Sequence, residues 1–94
     1  MSSTPDAAHL DNHHRDTLDK IFEHPTSHNI EWRAVVSLLE AVGSVVQRHD
    51  GKFSVTVGTE NVTIEPPRAK DIDTEEVVLL RRMLGNAGYG PGRP

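Results

Sequence analysis

The chain contains no cysteine. That excludes a disulfide framework and any thiolate metal site. Aromatic residues are scarce: one Trp, one Tyr and two Phe, 4% of the chain. No exposed ring interleaves with the basic residues, which argues against the stacking platform that single-stranded nucleic acid favours. No apolar run is long enough to span a bilayer. Positive charge is not in excess either. Ten Lys and Arg face fourteen Asp and Glu, a net charge of −4 with His neutral. Such a balance exerts no global pull on nucleic acid or an anionic membrane, so any such binding must come from a local patch. The opening "MSSTPDAAHLDNHH" lacks the basic and apolar segments of a secretion signal. By elimination, the expected location is the cytoplasm.

What is present suits one small domain. The 94 residues, 35% hydrophobic and 26% charged, are enough for a single core. A domain of this size is marginally stable and gains from a partner or a second copy. Residues 1–13 are rich in Ser, Asp, His and Ala without an apolar period, and read as disordered. Within 14–23, Leu18, Ile21 and Phe22 recur at i, i+3, i+4, predicting a short amphipathic helix with Asp16 and Asp19 at its start. Pro25 closes it. In "NIEWRAVVSLLEAVG" the spacing predicts a second helix capped by Asn29, with Glu31 in its first turn. Trp32, Val35, Val36, Leu39 and Val42 share its apolar face, with Leu38 beside them. Gly43 is expected to end it in a left-handed conformation.

The stretch "VVQRHDGKFSVTVG" holds two alternating apolar runs on either side of Asp50-Gly51, the pattern of a β-hairpin. Strand one covers 45–48, and strand two places Phe53, Val55 and Val57 on one face. A turn at 58–61 leads to strand three, "NVTIE", with Val62 and Ile64 on one side, and Pro66-Pro67 stops it. Asp73, with Glu76 three residues on, predicts the cap of a last helix whose buried stripe is Val77, Leu80 and Leu84, helped by Met83. Residues 86–88 end it, and 89–94 read as a flexible tail. The expected fold is α+β: helix, three-stranded antiparallel meander, helix, in two layers, with both helices on one sheet face and an extra N-terminal helix. One domain spans 14–88.

Three segments together resemble the HicA family, the small toxins of bacterial toxin–antitoxin pairs. "HPTSHNIEWRAVVSLLEAVGS" (24–44) is similar to the entry helix of one branch, which opens on a similar His-Pro-x-Ser-x-Asn-Ile-x-Trp phrase. "QRHDGKFSVTVG" (47–58) is similar to the family's hairpin. "PRAKDIDTEEVVLLRRMLGNAG" (67–88) is similar to its closing Pro-x-x-Lys-acidic-apolar segment and last helix. The resemblance covers residues 24–88. It implies a double-stranded-RNA-binding-domain-like α-β-β-β-α fold. It also implies a metal-independent mRNA interferase neutralised by a HicB-type antitoxin. The family's active histidine follows the hairpin Gly, a position that falls on Lys52–Ser54 here. No histidine stands there, and the nearest is His49. The basic, His-containing phrase after strand three is reduced to "EPPRAK".

The residues themselves allow several chemistries. A neutral imidazole at His49 could take the 2′-hydroxyl proton during RNA cleavage; an exposed turn also carries such a residue with no role. Arg48, Lys52, Arg68 and Lys70 could form a cationic rim for phosphate, extended by Arg81 and Arg82. Against that stand Asp50, Glu65, Asp71, Asp73, Glu75 and Glu76 close by in sequence. His24 and His28 have an i, i+4 spacing, but Pro25 lies between them, and His13-His14 belongs to the loose start. No metal or cofactor is expected. Trp32 is expected in the core rather than at an interface.

Two functions follow. The first is a HicA-like RNA-binding module whose mRNA interferase site is degenerate; any residual cleavage would use His49 as base and Lys52 or Arg68 on the phosphate. The second is a non-catalytic protein-interaction module that binds an antitoxin-like partner, a ribosomal surface or itself, because the edges of a three-stranded sheet invite another strand.

Overall fold

The computed structural model describes residues 11–26 and 29–90. The expected disorder of residues 1–10 and the tail residues 91–94 lie outside the described residues. The elements follow in the order α1 (Asn12–Ile21), α2 (Trp32–Val42), β1 (Ser44–Gln47), β2 (Phe53–Val57), β3 (Glu60–Ile64) and α3 (Thr74–Asn86). The strands form one antiparallel sheet in the order β1-β2-β3. The class is thus α+β, as the apolar periods predict.

Register sorts the sheet into two faces. Val45 pairs with Val55 and Val55 with Val62, while Phe53 pairs with Ile64. Side chains alternate along a strand, so Val45, Phe53, Val55, Val57, Val62 and Ile64 share one face. Val55, Val57 and Ile64 are buried in one cluster with Val35, Leu38 and Leu39 of α2 and Val77, Leu80, Met83 and Leu84 of α3. The opposite face carries Ser44, Val46, Ser54, Thr56, Asn61 and Thr63. Asn61 Nδ2 donates to the hydroxyls of Ser54 and Thr56 there. Leu38, expected beside the stripe of α2, is fully buried, whereas Val36 is half-buried on its flank.

α1 starts earlier than 14–23. Asp11 is its cap, accepting from the His14 backbone N–H at 2.8 Å, so residues 11–13 are ordered rather than part of a tail. Leu18 and Ile21 enter the core, and Phe22 packs against it. α2 starts later than Asn29. Residues 30–32 run extended against 70–72, with Trp32 N–H donating to the Lys70 carbonyl and Ile72 N–H to the Ile30 carbonyl. That pairing holds the chain out of the α region until Glu31, which caps without a side-chain bond.

Gly43 is not left-handed as expected: its φ of −161° is extended backbone. The need for glycine is steric. A Cβ there would land on the Thr56 carbonyl oxygen, because α2 turns into β1 against the neighbouring strand. The first hairpin has a three-residue turn, 49–51, rather than Asp50-Gly51 alone. Arg48 N–H donates to the Lys52 carbonyl, and Gly51 N–H to the Arg48 carbonyl. Gly51 takes φ +88°, the left-handed residue that such three-residue loops require. β3 covers 60–64, one residue earlier than expected, after a two-residue turn. Asp73 caps α3 as expected, accepting from Glu76 N–H at 2.9 Å. Tyr89, read as the start of a tail, is instead buried in the core. Its N–H donates to the Leu84 carbonyl at 3.0 Å and folds the chain back on the end of α3.

Candidate functional site

The hairpin tip and the segment after β3 converge because β2 and β3 are neighbours. Lys52 follows the turn just before β2, and Glu65–Arg68 follow the end of β3, opposite it. The N-terminus of α3 closes the third side. Together they line a cleft of about 470 Å³ that includes Lys52, Arg68, Asp50, Glu65, Asp73 and Glu76. Two of the six candidate phosphate ligands therefore meet, and they meet four carboxylates.

Those carboxylates differ in state. Asp50 accepts a hydrogen bond from the Lys52 backbone N–H at 3.0 Å, which holds its carboxyl below the usual range, helped by Arg48 and Lys52 nearby. Glu76 is pushed upward, first by partial burial and then by the charges of Asp73, Glu65 and Glu75. A phosphate entering the cleft would meet Lys52 and Arg68 together with these four carboxylates.

The other candidates are dispersed. Arg48 lies 3.6 Å from Asp50 and donates to the Thr63 hydroxyl at 3.4 Å. Lys70 lies 3.5 Å from Glu31. Arg82 is exposed on α3. Arg81 is engaged inside the molecule: its Nε donates to the Ile21 carbonyl at 3.0 Å, and a terminal nitrogen to the Glu23 carbonyl and the Thr26 hydroxyl, both at 3.3 Å. It neutralises the C-terminal end of α1, where free carbonyls favour a cation, and it does not belong to the rim.

His49 is exposed at the apex of the turn, and its neighbours Asp50, Gly51 and Lys52 line the cleft without it. No side chain among the described residues holds its ring by a hydrogen bond. A general base is ordinarily oriented by such a partner. His13 and His14 lie on α1; His14 Nε2 is 2.7 Å from Ser37 Oγ, and its Nδ1 is 3.3 Å from Asp11. His24 is exposed, and His28 lies outside the described residues. Among the described residues, no three His, Asp or Glu side chains are grouped to hold a metal ion.

A second cleft, of about 400 Å³ between α1 and α2, is lined by His13, Asp16, Lys20, Glu31 and Arg33 among others. A third, shallower groove of about 300 Å³ runs along the flank of α2, over Trp32, Val36, Glu40 and Phe53. Trp32, expected in the core, is half-buried at the edge of this groove, its ring edge-on to Phe53 at 5.3 Å. Sequence pattern signalled neither groove, since both depend on how α1 and the sheet flank α2. No pattern signals the buried Asp71 Oδ1 either, which has no hydrogen-bond partner among the described residues.

No helix among the described residues is long and apolar enough to cross a membrane. Comparison of the chain with models of known families, with curated proteins and with solved structures finds no match in any of the three.

Proposed function

We propose that this chain is a HicA-like RNA-binding module whose mRNA interferase site is degenerate. The observation that carries the reading is the convergence of Lys52 and Arg68 on one cleft of an α-β-β-β-α unit. In that unit both helices pack on a single sheet face, an arrangement compatible with a double-stranded-RNA-binding-domain-like fold. The pair supplies a point charge and a planar fork to a phosphate backbone. Degeneracy rests on the absence of histidine from residues 52–54 and on the solitary position of His49 at the turn. The protein is proposed to act in the cytoplasm.

The decisive experiment incubates the full chain with labelled structured and single-stranded RNA at two salt concentrations, on native and denaturing gels. Retarded, intact RNA that is released at higher salt is expected, because phosphate contacts weaken steeply with salt. Shortened RNA would instead mean a live nuclease, and His49→Ala would then test whether His49 is its base. Absence of both shift and cleavage would sink the RNA reading.

A second reading is favoured by the four carboxylates in the same cleft: a protein-interaction module that binds an antitoxin-like partner or a ribosomal surface. Carboxylates repel phosphate and accept hydrogen bonds from basic side chains. Such a charge-paired interface would also weaken with salt, so the two readings separate by partner: this one expects the chain to retain a basic polypeptide, and not RNA, at low salt.

A further inference from the structure

We propose that β1 is a self-association edge through which two copies of this chain form a symmetric dimer with one continuous six-stranded sheet, centred on Val46. The hydrogen-bond phase of β1 fixes which of its residues face outward. Arg48 N–H donates to the Lys52 carbonyl, so Arg48, and with it Val46 and Ser44, direct their backbone groups toward β2. Val45 and Gln47 therefore direct theirs to the open side. Among the described residues β1 pairs with β2 alone.

Such an edge is a template for another strand, and proteins usually blunt it with a Pro, a Lys or a bulge. Ser44–Gln47 carries none of these. It carries Val46, 61% exposed on the outward face. Antiparallel pairing about a two-fold axis at Val46 sets Val45 opposite the second copy's Gln47, and each such pair exchanges two hydrogen bonds. Val46 then meets its own copy in a non-hydrogen-bonded pair, where side chains approach most closely. Arg48 falls opposite the small Ser44.

The helix layer fits the same axis. α2 runs antiparallel to β1. Trp32 stands on Phe53, the partner of Gln47, and Gly43 lies against Thr56, the partner of Ser44. The middle of α2, Val36-Ser37, is therefore level with Val45 and Val46. The axis is perpendicular to the sheet, so both copies of α2 lie on one face and run antiparallel. α2 packs on both β1 and β2. Two helices so placed lie two strand spacings apart, about 10 Å, within the usual range for packed helices. In this register Val36 lies nearest the axis, Ser37 stays turned to His14 of α1, and Arg33 is level with the second copy's Glu40. Arg33 and Glu40 are both exposed, and neither has an ionic or hydrogen-bonded partner among the described residues. The charge complementarity is reciprocal, as an isologous interface demands.

The test is the mass of the full chain in solution across a wide concentration range, by sedimentation or light scattering. The parent is expected to pass from monomer to dimer. Val46→Lys sets two like charges directly opposite on the axis and is expected to weaken dimerisation roughly tenfold or more. Arg33→Glu and Glu40→Arg alone are expected to weaken it roughly two- to fivefold, and the double reversal R33E/E40R to restore it. All three positions are on the surface, and circular dichroism checks that each variant is folded; should Val46→Lys unfold, the charge reversals decide. Val46→Cys introduces the chain's only thiol and is expected to form a disulfide-linked dimer on oxidation, whereas Thr63→Cys on the opposite edge strand is not. A parent that stays monomeric to its highest soluble concentration would overturn the proposal. So would a dimer unmoved by Val46→Lys and by both charge reversals.

Discussion

The guanidinium of Arg81, in the last helix, donates through Nε to the backbone carbonyl of Ile21, at the end of the first, at 3.0 Å. Two further bonds, to the Glu23 carbonyl and the Thr26 hydroxyl, close a fork around the chain that leaves α1. These bonds tie α1 to α3, while Leu18 and Ile21 supply its apolar attachment to the core.

Replacing Arg81 by Ala removes all three bonds and leaves helix-terminal carbonyls unpaired. A destabilisation of about 1–3 kcal/mol is expected. It should be local first, so hydrogen exchange should show α1 amides losing protection before those of β2 and α3. Arg81→Lys cannot reproduce the fork and should recover only part of the loss. Unchanged α1 protection in Arg81→Ala would refute the clamp.

At the junction of α2 and β1, Gly43→Ala would drive a methyl into the Thr56 carbonyl oxygen. The obstacle is backbone and cannot rotate away. Denaturant unfolding should show a loss of about 3 kcal/mol, the upper end of the usual cost of overpacking. A stability equal to the parent's would mean that the turn adjusts freely.

Glu76 makes stability depend on pH. Its carboxyl is raised by partial burial and by Asp73, Glu65 and Glu75, so the folded chain holds this proton more tightly than the unfolded chain. The stability linked to it is fully present below the ordinary value of 4.5 and is lost as pH rises through the raised folded value. Glu76→Gln is therefore expected to stabilise the protein at neutral pH and to do nothing below pH 4.5. The gain should be small, about a few tenths of a kcal/mol, because water reaches this carboxylate and screens its neighbours. Melting temperatures of parent and variant at both ends of that window provide the check.

If RNA binds at the cleft, Lys52→Ala and Arg68→Ala should each weaken it and lower the slope of log affinity against log salt by about one. Arg81→Ala should leave that slope unchanged, since its guanidinium is already bonded within the chain. Equal slope changes for all three would move the RNA contact away from the cleft.

Much of this fold was legible in the residues because local physics writes it. The Asp73–Glu76 cap, the stripe of Val77, Leu80, Met83 and Leu84, and the alternation in β2 and β3 each depend on neighbours within a few positions. Some departures were local, such as the Asp11 cap and the three-residue turn at 49–51, and others arose where a distant segment intervened. Asn29 lost the cap of α2 because 70–72 pairs with 30–32, and Gly43 answers to Thr56 on the next strand but one in sequence. The site followed the same division: the cations and the opposing carboxylates were all nameable from the sequence, but not that Lys52 and Arg68, of the six cations, share one cleft with Asp50, Glu65, Asp73 and Glu76.

The sequence by itself determined the α+β class, the single hairpin-bearing sheet and the absence of thiol chemistry, since these follow from periodicity and composition. Only the tertiary structure decided which charges meet, that Arg81 is spent on α1 and that Tyr89 is core. Charge pairing and burial of this kind depend on distances between residues far apart in the chain, and no local pattern encodes them.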